Sequence, residues 1–558
     1  MDGAGTNRQR VALVAISLAV FLTALDQTVV VTALINIVVD ISVPITALDR
    51  AAWIISGYLL GYVIAMPLMG RIADIYGRRR VFIVCLLVFA VGSLICALGP
   101  LLGAPDSPDT SSAAGLALAP FYWLTQQGLA IAAHVGIDQA YPALNVIVAG
   151  RFLQALGGGA LVPVALAVVS DLFGPTRRGL ALGLVGAVAE VGGVLGPVWG
   201  AWVTGTWGWR WIFWLNLPIV LLLLVLGAVS LPQTQRLGQR VDVLGAALFG
   251  AAVASLTLGF GAPSSQSGAL SLAARSHINL ALVIAATLFL LAFTLYELRT
   301  RSPVVDLRLF ARRAFSAAAA LSLLIGAALI VAMVDIPIFV ATVLNRPAVE
   351  SGLALLRLTA LIPVGALAGG WLARRVGCRV PAVTGCALTA VGFWLMHLWP
   401  VDVGWLPLTI ATGIAGCGFG LVIAPISTSA LNAAPSKQSG SASAVITVLR
   451  MVGMIVGLSA LTAWGLAYFK SLVADRALPS QQAGESQAAF SARLRDFLAH
   501  VVVTAAHQVY TAIFAVAAVL CVLAVVPALW LWRKRLDASA EPDAASSGAY
   551  ESYVAPLA

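Results

Sequence analysis

"GRIADIYGRRR", residues 70–80, returns three hundred residues later as "GGWLARRVGCR", residues 369–379. Gly70 aligns with Gly370, Ala73 with Ala373, Gly77 with Gly377 and Arg79 with Arg379. Shared loop chemistry alone gives matches of this quality, so the weight of this one lies in its position. Each copy follows the second apolar run of a set of six, provided that two runs in mid-chain are counted as an insertion. Two related halves around a central cavity form a transporter plan.

The runs themselves set the class. Of 558 residues, 60% are apolar and 10% charged, with a mean hydropathy of +0.97; soluble domains carry about 25% charged residues. Segments long enough to span a bilayer as helix, roughly 20 residues, fall at 11–39, 51–70, 81–100, 143–170, 179–204, 210–231, 242–261, 277–297, 314–344, 352–373, 382–399, 405–431, 441–470 and 501–532. The expectation is an all-α polytopic membrane protein with 14 transmembrane helices: an N-terminal six-helix half (1–231), an inserted helix pair with a cytoplasmic linker (232–313), a C-terminal six-helix half (314–535) and a cytoplasmic tail (536–558). An outer insertion, 101–142, has no Lys or Arg, and its "FYWLTQQGLAIAAHV" reads either as an interfacial helix or as a plain loop.

Cations give the orientation. With the amino terminus and even-numbered loops on the cytoplasmic side, 22 of the 33 Lys and Arg face the cytoplasm, which the positive-inside rule favours. Both termini are then cytoplasmic and the membrane is a bacterial inner membrane. The net charge of +10 mostly reports this topology, so nucleic acid is not an expected partner. The start "MDGAGTNRQR" leads into an apolar run too long for a cleaved signal peptide. Six scattered cysteines read as small apolar residues, and five histidines form no ligand pattern. No metal site, cofactor or catalytic cluster is expected, and the chain does not read as an enzyme.

Ionisable residues inside the apolar runs carry the chemistry. Asp26 stands in "FLTALDQTVVVTALINIVV", 21–39, where a carboxylate costs about 2.5 to 3.5 kcal/mol on insertion scales. Hydrocarbon disfavours the charged form, which makes a reversible proton site; a paired or solvated acid of no mechanistic weight is the plainer reading. Glu190 lies within a glycine face, Gly179, Gly183, Gly186, Gly193, Gly196 and Gly200, that permits close helix approach. Pro197 adds a bend. Packing accounts for these glycines and leaves the acid unexplained. Arg450, in "VITVLRMVGMIVG", wants a carboxylate, with Glu190 or Asp26 as the natural partner. A proton competing with an Arg for one acid makes a switch. Asp335, near the outer end of the ninth run, is a further coupling candidate or simply a wet acid. Arg151 serves the cavity or a hydrogen-bond network in the fourth helix, and Arg357 reads as interfacial.

These stretches together resemble the major facilitator superfamily, in its fourteen-helix drug:proton antiporter branch. Residues 70–80 are similar to the family's G-x-x-x-D-R/K-x-G-R-R/K loop, departing at Ile75, where a cation is usual. "RFLQALGGGALVP" (151–163) resembles the arginine-bearing motif of helix four. "GPVWGA" (196–201) resembles the antiporter motif of helix five, with Ala201 in place of its last glycine. "SPVVDLRLF" (302–310) resembles the linker into the second half. "ALDQTVVVT", "AEVGGVLGP" and "HLWPVD" look most like the mycobacterial triacylglycerol and multidrug exporters of this branch, which work with a periplasmic lipoprotein. The resemblance implies a monomeric, proton-coupled exporter of a lipophilic compound, lipid ahead of drug, with multidrug efflux as the alternative. Its partners would be protons, the lipophilic small molecule or lipid, the membrane and a periplasmic lipid-carrier lipoprotein. It also implies a cytoplasmic latch at Gly70, Asp74, Gly77, Arg78 and Arg79, in which Asp74 contacts an opposing helix amino terminus.

Lengths near the carboxyl end add one expectation. Residues 441–472 contain no proline and would make a helix of roughly 48 Å against a hydrocarbon core near 30 Å. After Pro479 and Gly484, Ser486 is a plausible helix cap, and Phe490, Leu494, Phe497, Leu498 and Val501 recur at helical spacing. Helices thirteen and fourteen are therefore expected to project outward as an antiparallel hairpin, packed on itself or shielding lipid.

Overall fold

A chain in hydrocarbon must satisfy its own N–H and C=O groups, which helices do internally. The computed structural model describes residues 2–44, 48–102, 122–123, 125–127, 141–173, 175–231, 242–261, 279–300, 307–434, 439–473, 486–497 and 501–531, and among them every regular element is helical. The long segments are α1 (Asp2–Asp40), α2 (Trp53–Tyr76), α3 (Arg78–Leu102), α4 (Pro142–Leu172), α5 (Pro175–Thr206), α6 (Arg210–Ser230), α7 (Val243–Gly261) and α8 (Leu280–Arg299). They continue with α9 (Arg313–Thr342), α10 in two pieces (Ala348–Thr359 and Leu361–Val376), α11 (Arg379–His397), α12 (Trp405–Ala433), α13 (Ser439–Val473) and α14 (Val503–Ala528). Eleven of these, all but α2, α5 and α7, are long and apolar enough within the described residues to cross a membrane.

Two departures from the sequence reading have a visible reason. α1 begins near the start of the chain, because its first turns cap other helices: Arg8 Nε donates to the Ser230 carbonyl at the end of α6 (3.2 Å), and Gln9 Nε2 to that of Leu172 at the end of α4 (3.1 Å). Terminal carbonyls lack partners within their own helix. α10 breaks at Ala360, three residues before Pro363, whose ring nitrogen cannot donate back to the Thr359 carbonyl.

The helices pack as two copies of one plan. α1 lies on α5 and α6, α2 on α4, and α3 on α4 and α6; α9 lies on α13 and α14, α10 on α12, and α11 on α12 and α14. Adding eight to every number in the first set gives the second. α7 and α8 pack on each other, and α7 also touches α2 and α13. The halves meet where α5 crosses α10, α2 meets α13 and α1 meets α9. This is a fold of two six-helix halves with an inserted pair.

The quoted repeat marks equivalent corners. Gly77 (φ 93°) and Gly377 (φ 86°) both end the second helix of their half with positive φ. Their N–H groups donate to the carbonyls of Ala73 (3.1 Å) and Ala373 (3.0 Å), and both alanines are buried. A side chain at that φ is strained, so glycine recurs. Five cysteines are buried and Cys417 is half-buried, all free.

Helix α13 has 35 residues, as its proline-free length requires. Ser486 caps the helix Gln487–Phe497, its Oγ accepting from the Ala489 N–H at 3.2 Å. The tip of the expected hairpin, 474–485, lies outside the described residues, as do 498–500, most of the insertion 101–142 and the tail.

Candidate functional site

Gln154 follows Arg151 by three positions, so both side chains leave α4 on one face. α3 lies directly against that face, because Gly92 leaves no room for a Cβ beside the Gln154 backbone. Ser93 is thereby brought within reach of Gln154. Asp26 on α1 and Asn216 on α6 close the group, and all five side chains are buried, Asp26 at 0% and Arg151 at 1% exposure.

The contacts form a closed polar ring. Arg151 Nη1 donates to Asp26 Oδ2 and to Gln154 Oε1, both at 2.6 Å, while Nη2 donates to the Asp26 carbonyl at 3.1 Å. Asp26 Oδ1 accepts from Gln154 Nε2 (3.0 Å) and Asn216 Nδ2 (2.9 Å). The same two amides reach Ser93 Oγ at 2.6 and 3.2 Å. The guanidinium carbon lies 4.0 Å from the centre of the Tyr58 ring and 5.8 Å from that of Phe213, and the Tyr58 hydroxyl donates to the Thr23 carbonyl at 3.3 Å. Burying two charges costs several kcal/mol per ion, offset only when the remaining hydrogen bonds are also made. Here both carboxylate oxygens have donors. A proton on Asp26 would cancel one half of the pair and leave Arg151 bound to Gln154 and the Asp26 carbonyl.

Beside the ring, α5 follows α1 through its glycine motif. A Cβ at Gly192 would stand 2.7 Å from the Phe21 carbonyl, at Gly196 2.6 Å from that of Leu25, and at Gly200 2.9 Å from Thr32 Oγ1. Gly193 faces the other way, with nothing within 4 Å of its Cβ position. Pro197 deprives the Gly193 carbonyl of its helical N–H, and Thr28 Oγ1 of α1 donates there instead, at 3.0 Å. Thr32 Oγ1 reaches the Pro197 carbonyl at 2.9 Å. Toward the amino-terminal ends of α1 and α5 the same helices border a cleft of 320 Å³ lined by Leu13, Val14, Leu18, Phe21, Leu184 and Val188, with Ser17 as the one polar residue in its described lining.

The expected site residues divide. Asp26 and Arg151 come together. Asp26, one of the two acids expected for Arg450, is bound by Arg151, Gln154 and Asn216 of its own half. Arg450 is half-buried on α13, whose backbone packs there on Gly326 of α9. Asp335 is half-buried on α9, one turn before Phe339, whose ring meets those of Trp399, Tyr510 and Phe514. It takes no part in the ring. Gly70 lies in α2 and Arg79 in the first turn of α3; Arg78, which opens α3, donates to the Ala167 carbonyl of α4, within its own half. The side chains of Asp74 and Glu190 lie outside the described residues. Sequence reasoning missed Gln154, Ser93, Asn216 and Tyr58. Asn216 was findable as the lone amide in "WIFWLNLP", and Gln154 as a polar residue one turn from a buried Arg.

The family model described as Major Facilitator Superfamily matches residues 16–458. The chain belongs to the major facilitator superfamily. It is a multi-pass membrane transporter and not an enzyme. This facilitator is 36% identical to the triacylglyceride transporter of Mycolicibacterium hassiacum, over 96% of this chain and 94% of that one. It is 33% identical to the triacylglyceride transporter of Mycobacterium tuberculosis, over 98% and 99%. Among solved structures, the facilitator fold is shared with a bacterial homolog of the human lysosomal transporter Spinster in an inward-facing, unoccupied conformation, at a TM-score of 0.56 and 15% identity, covering 94% of this chain and 98% of that one. The D-xylose-proton symporter superposes with a TM-score of 0.53 at 14% identity, covering 92% and 96%.

Proposed function

We propose that this facilitator is a proton-coupled exporter of lipophilic cargo, a triacylglycerol-like lipid first, moving it by alternating access from a bacterial inner membrane toward the periplasm or cell envelope. The carrying observation is the buried Asp26–Arg151 pair. A charge pair at the core of a half, wired to four helices, is retained at a cost that packing alone does not require. Asp26 is the proton site, and Arg151 is the cation that competes for it. Glu190 then remains the acid for Arg450, and Asp335 is a secondary proton site.

Kinship over nearly the whole length with relatives named for triacylglyceride supports the choice of cargo. So does the α1–α5 cleft, with one hydroxyl and no charged group among its described lining side chains. The positive-inside bias supports cytoplasmic termini, and a monomer working with a periplasmic lipid-carrier lipoprotein completes the reading.

The test is reconstitution in proteoliposomes with an imposed pH gradient, presenting labelled triacylglycerol and a cationic dye side by side. Gradient-driven movement of the lipid supports the proposal. Movement of the dye alone replaces it with drug efflux, and movement of lipid indifferent to the gradient removes the proton.

A further inference from the structure

Where α1, α9 and the start of α10 meet, near the Asp40 end of α1, they enclose a second cavity of about 200 Å³. Its walls are of two kinds. Ile35, Pro337 and Ala341 are apolar, while Asn36, Arg346 and Ser351 are polar. Ser351 is 2% exposed, and its hydroxyl has no hydrogen-bond partner among the described residues. A buried hydroxyl left unpaired is costly. Asn345, at φ 49°, turns the chain just before Arg346, a conformation that Asn tolerates. The Arg346 guanidinium lies 3.7 Å from Glu350, which balances its charge.

We propose that this cavity binds the uncharged glycerol-ester head of an acylglycerol, with Ser351 and Arg346 on one half and Asn36 on the other as donors to its oxygens. The proposal rests on the lipid reading above and adds a second station to it. Ester carbonyls accept from these donors, and a free glycerol hydroxyl can donate to Ser351. A carboxylate or phosphate head would meet the Glu350 carboxylate beside Arg346, so the site favours a neutral head. The volume, about seven waters at ~30 Å³ each, admits the head and leaves the acyl tails along the seam between helices. Because α1 belongs to one half and α9 and α10 to the other, an occupied site favours the arrangement in which these ends are closed. It does so only by its differential affinity for the two states.

The experiment uses the full chain in lipid nanodiscs, with no gradient, and a photoreactive monoacylglycerol carrying its diazirine beside the ester. Labelled residues are mapped by mass spectrometry. Labelling should concentrate at residues 31–36 and 337–351. Unlabelled monoolein should displace it, and oleate should need at least about ten-fold more, as expected for an unfavourable charge. Ser351→Ala should weaken labelling about five-fold, the loss of one hydrogen bond, without lowering the melting temperature. Asn36→Ala, on the opposite half and exposed, gives the same readout if Ser351→Ala fails to fold. Labelling scattered over the lipid-facing surface, insensitivity to both substitutions, or equal competition by oleate overturns the site. Triacylglycerol transport in proteoliposomes without labelling here overturns this proposal and leaves the function standing. Labelling here without transport does the reverse.

Discussion

Thr28 Oγ1 of α1 donates, at 3.0 Å, to the Gly193 carbonyl that Pro197 leaves without its helical partner. The proline position in α5 is thus supported by a neighbouring helix, and the packing of α1 on α5 is a hydrogen-bonded seam as well as a glycine one.

Thr28→Val keeps the side-chain shape and removes the donor. It should cost about 1 to 3 kcal/mol, the range for a buried group left unsatisfied, read as a lower melting temperature of the purified protein. In a Pro197→Ala background the carbonyl regains its N–H, and the same substitution should cost almost nothing. A penalty unchanged by Pro197→Ala would mean that Thr28 acts elsewhere.

Asp26→Asn is close to isosteric, which from sequence alone promises an intact fold. The ring changes that expectation. Neutralising Asp26 strands a buried guanidinium, for which about 3 to 5 kcal/mol is typical. Asp26→Asn should therefore lower stability as well as transport, and Arg151→Gln on top should restore part of the stability. Additive losses in that cycle would separate the two residues energetically.

Along the glycine face of α5 the glycines should not behave alike. Gly200→Ala meets the α1 backbone and should destabilise by about 1 to 3 kcal/mol through overpacking. Gly193→Ala has open space and should fold normally. If Gly193→Ala nonetheless stops transport in proteoliposomes, that position serves a second conformation.

Gly77→Ala and Gly377→Ala test the repeat. Each places a Cβ at positive φ, worth about 1 to 3 kcal/mol of strain, so the two melting-temperature losses should be similar. A large loss at one corner only would show that the two turns are not equivalent.

Most of the architecture was legible because apolar length is a one-dimensional signal. Gly77 and Gly377 announced the duplication, since positive φ restricts the choice of residue. The pairing of Asp26 was not legible: three cations within apolar runs, Arg151, Arg357 and Arg450, were available, and sequence spacing does not say which helix faces α1. The amides of Gln154 and Asn216 escaped notice because a neutral polar residue in an apolar run costs less than a charge and stands out less. Ser486 was readable as a cap, because capping depends on four neighbouring residues.

Helix α12, the counterpart of α4, contains no charged residue along Trp405–Ala433. The two halves share a packing plan, while α12 carries no charge to match Arg151. The molecule is consequently lopsided: Asp26 and Arg151 can report only on their own half. Of the four helices in their ring, α1 is the one whose described residues also pack on α9 and α10. It is the clutch plate of the assembly, and substitutions along its far face, remote from Asp26, should uncouple the two halves while leaving the ion pair untouched.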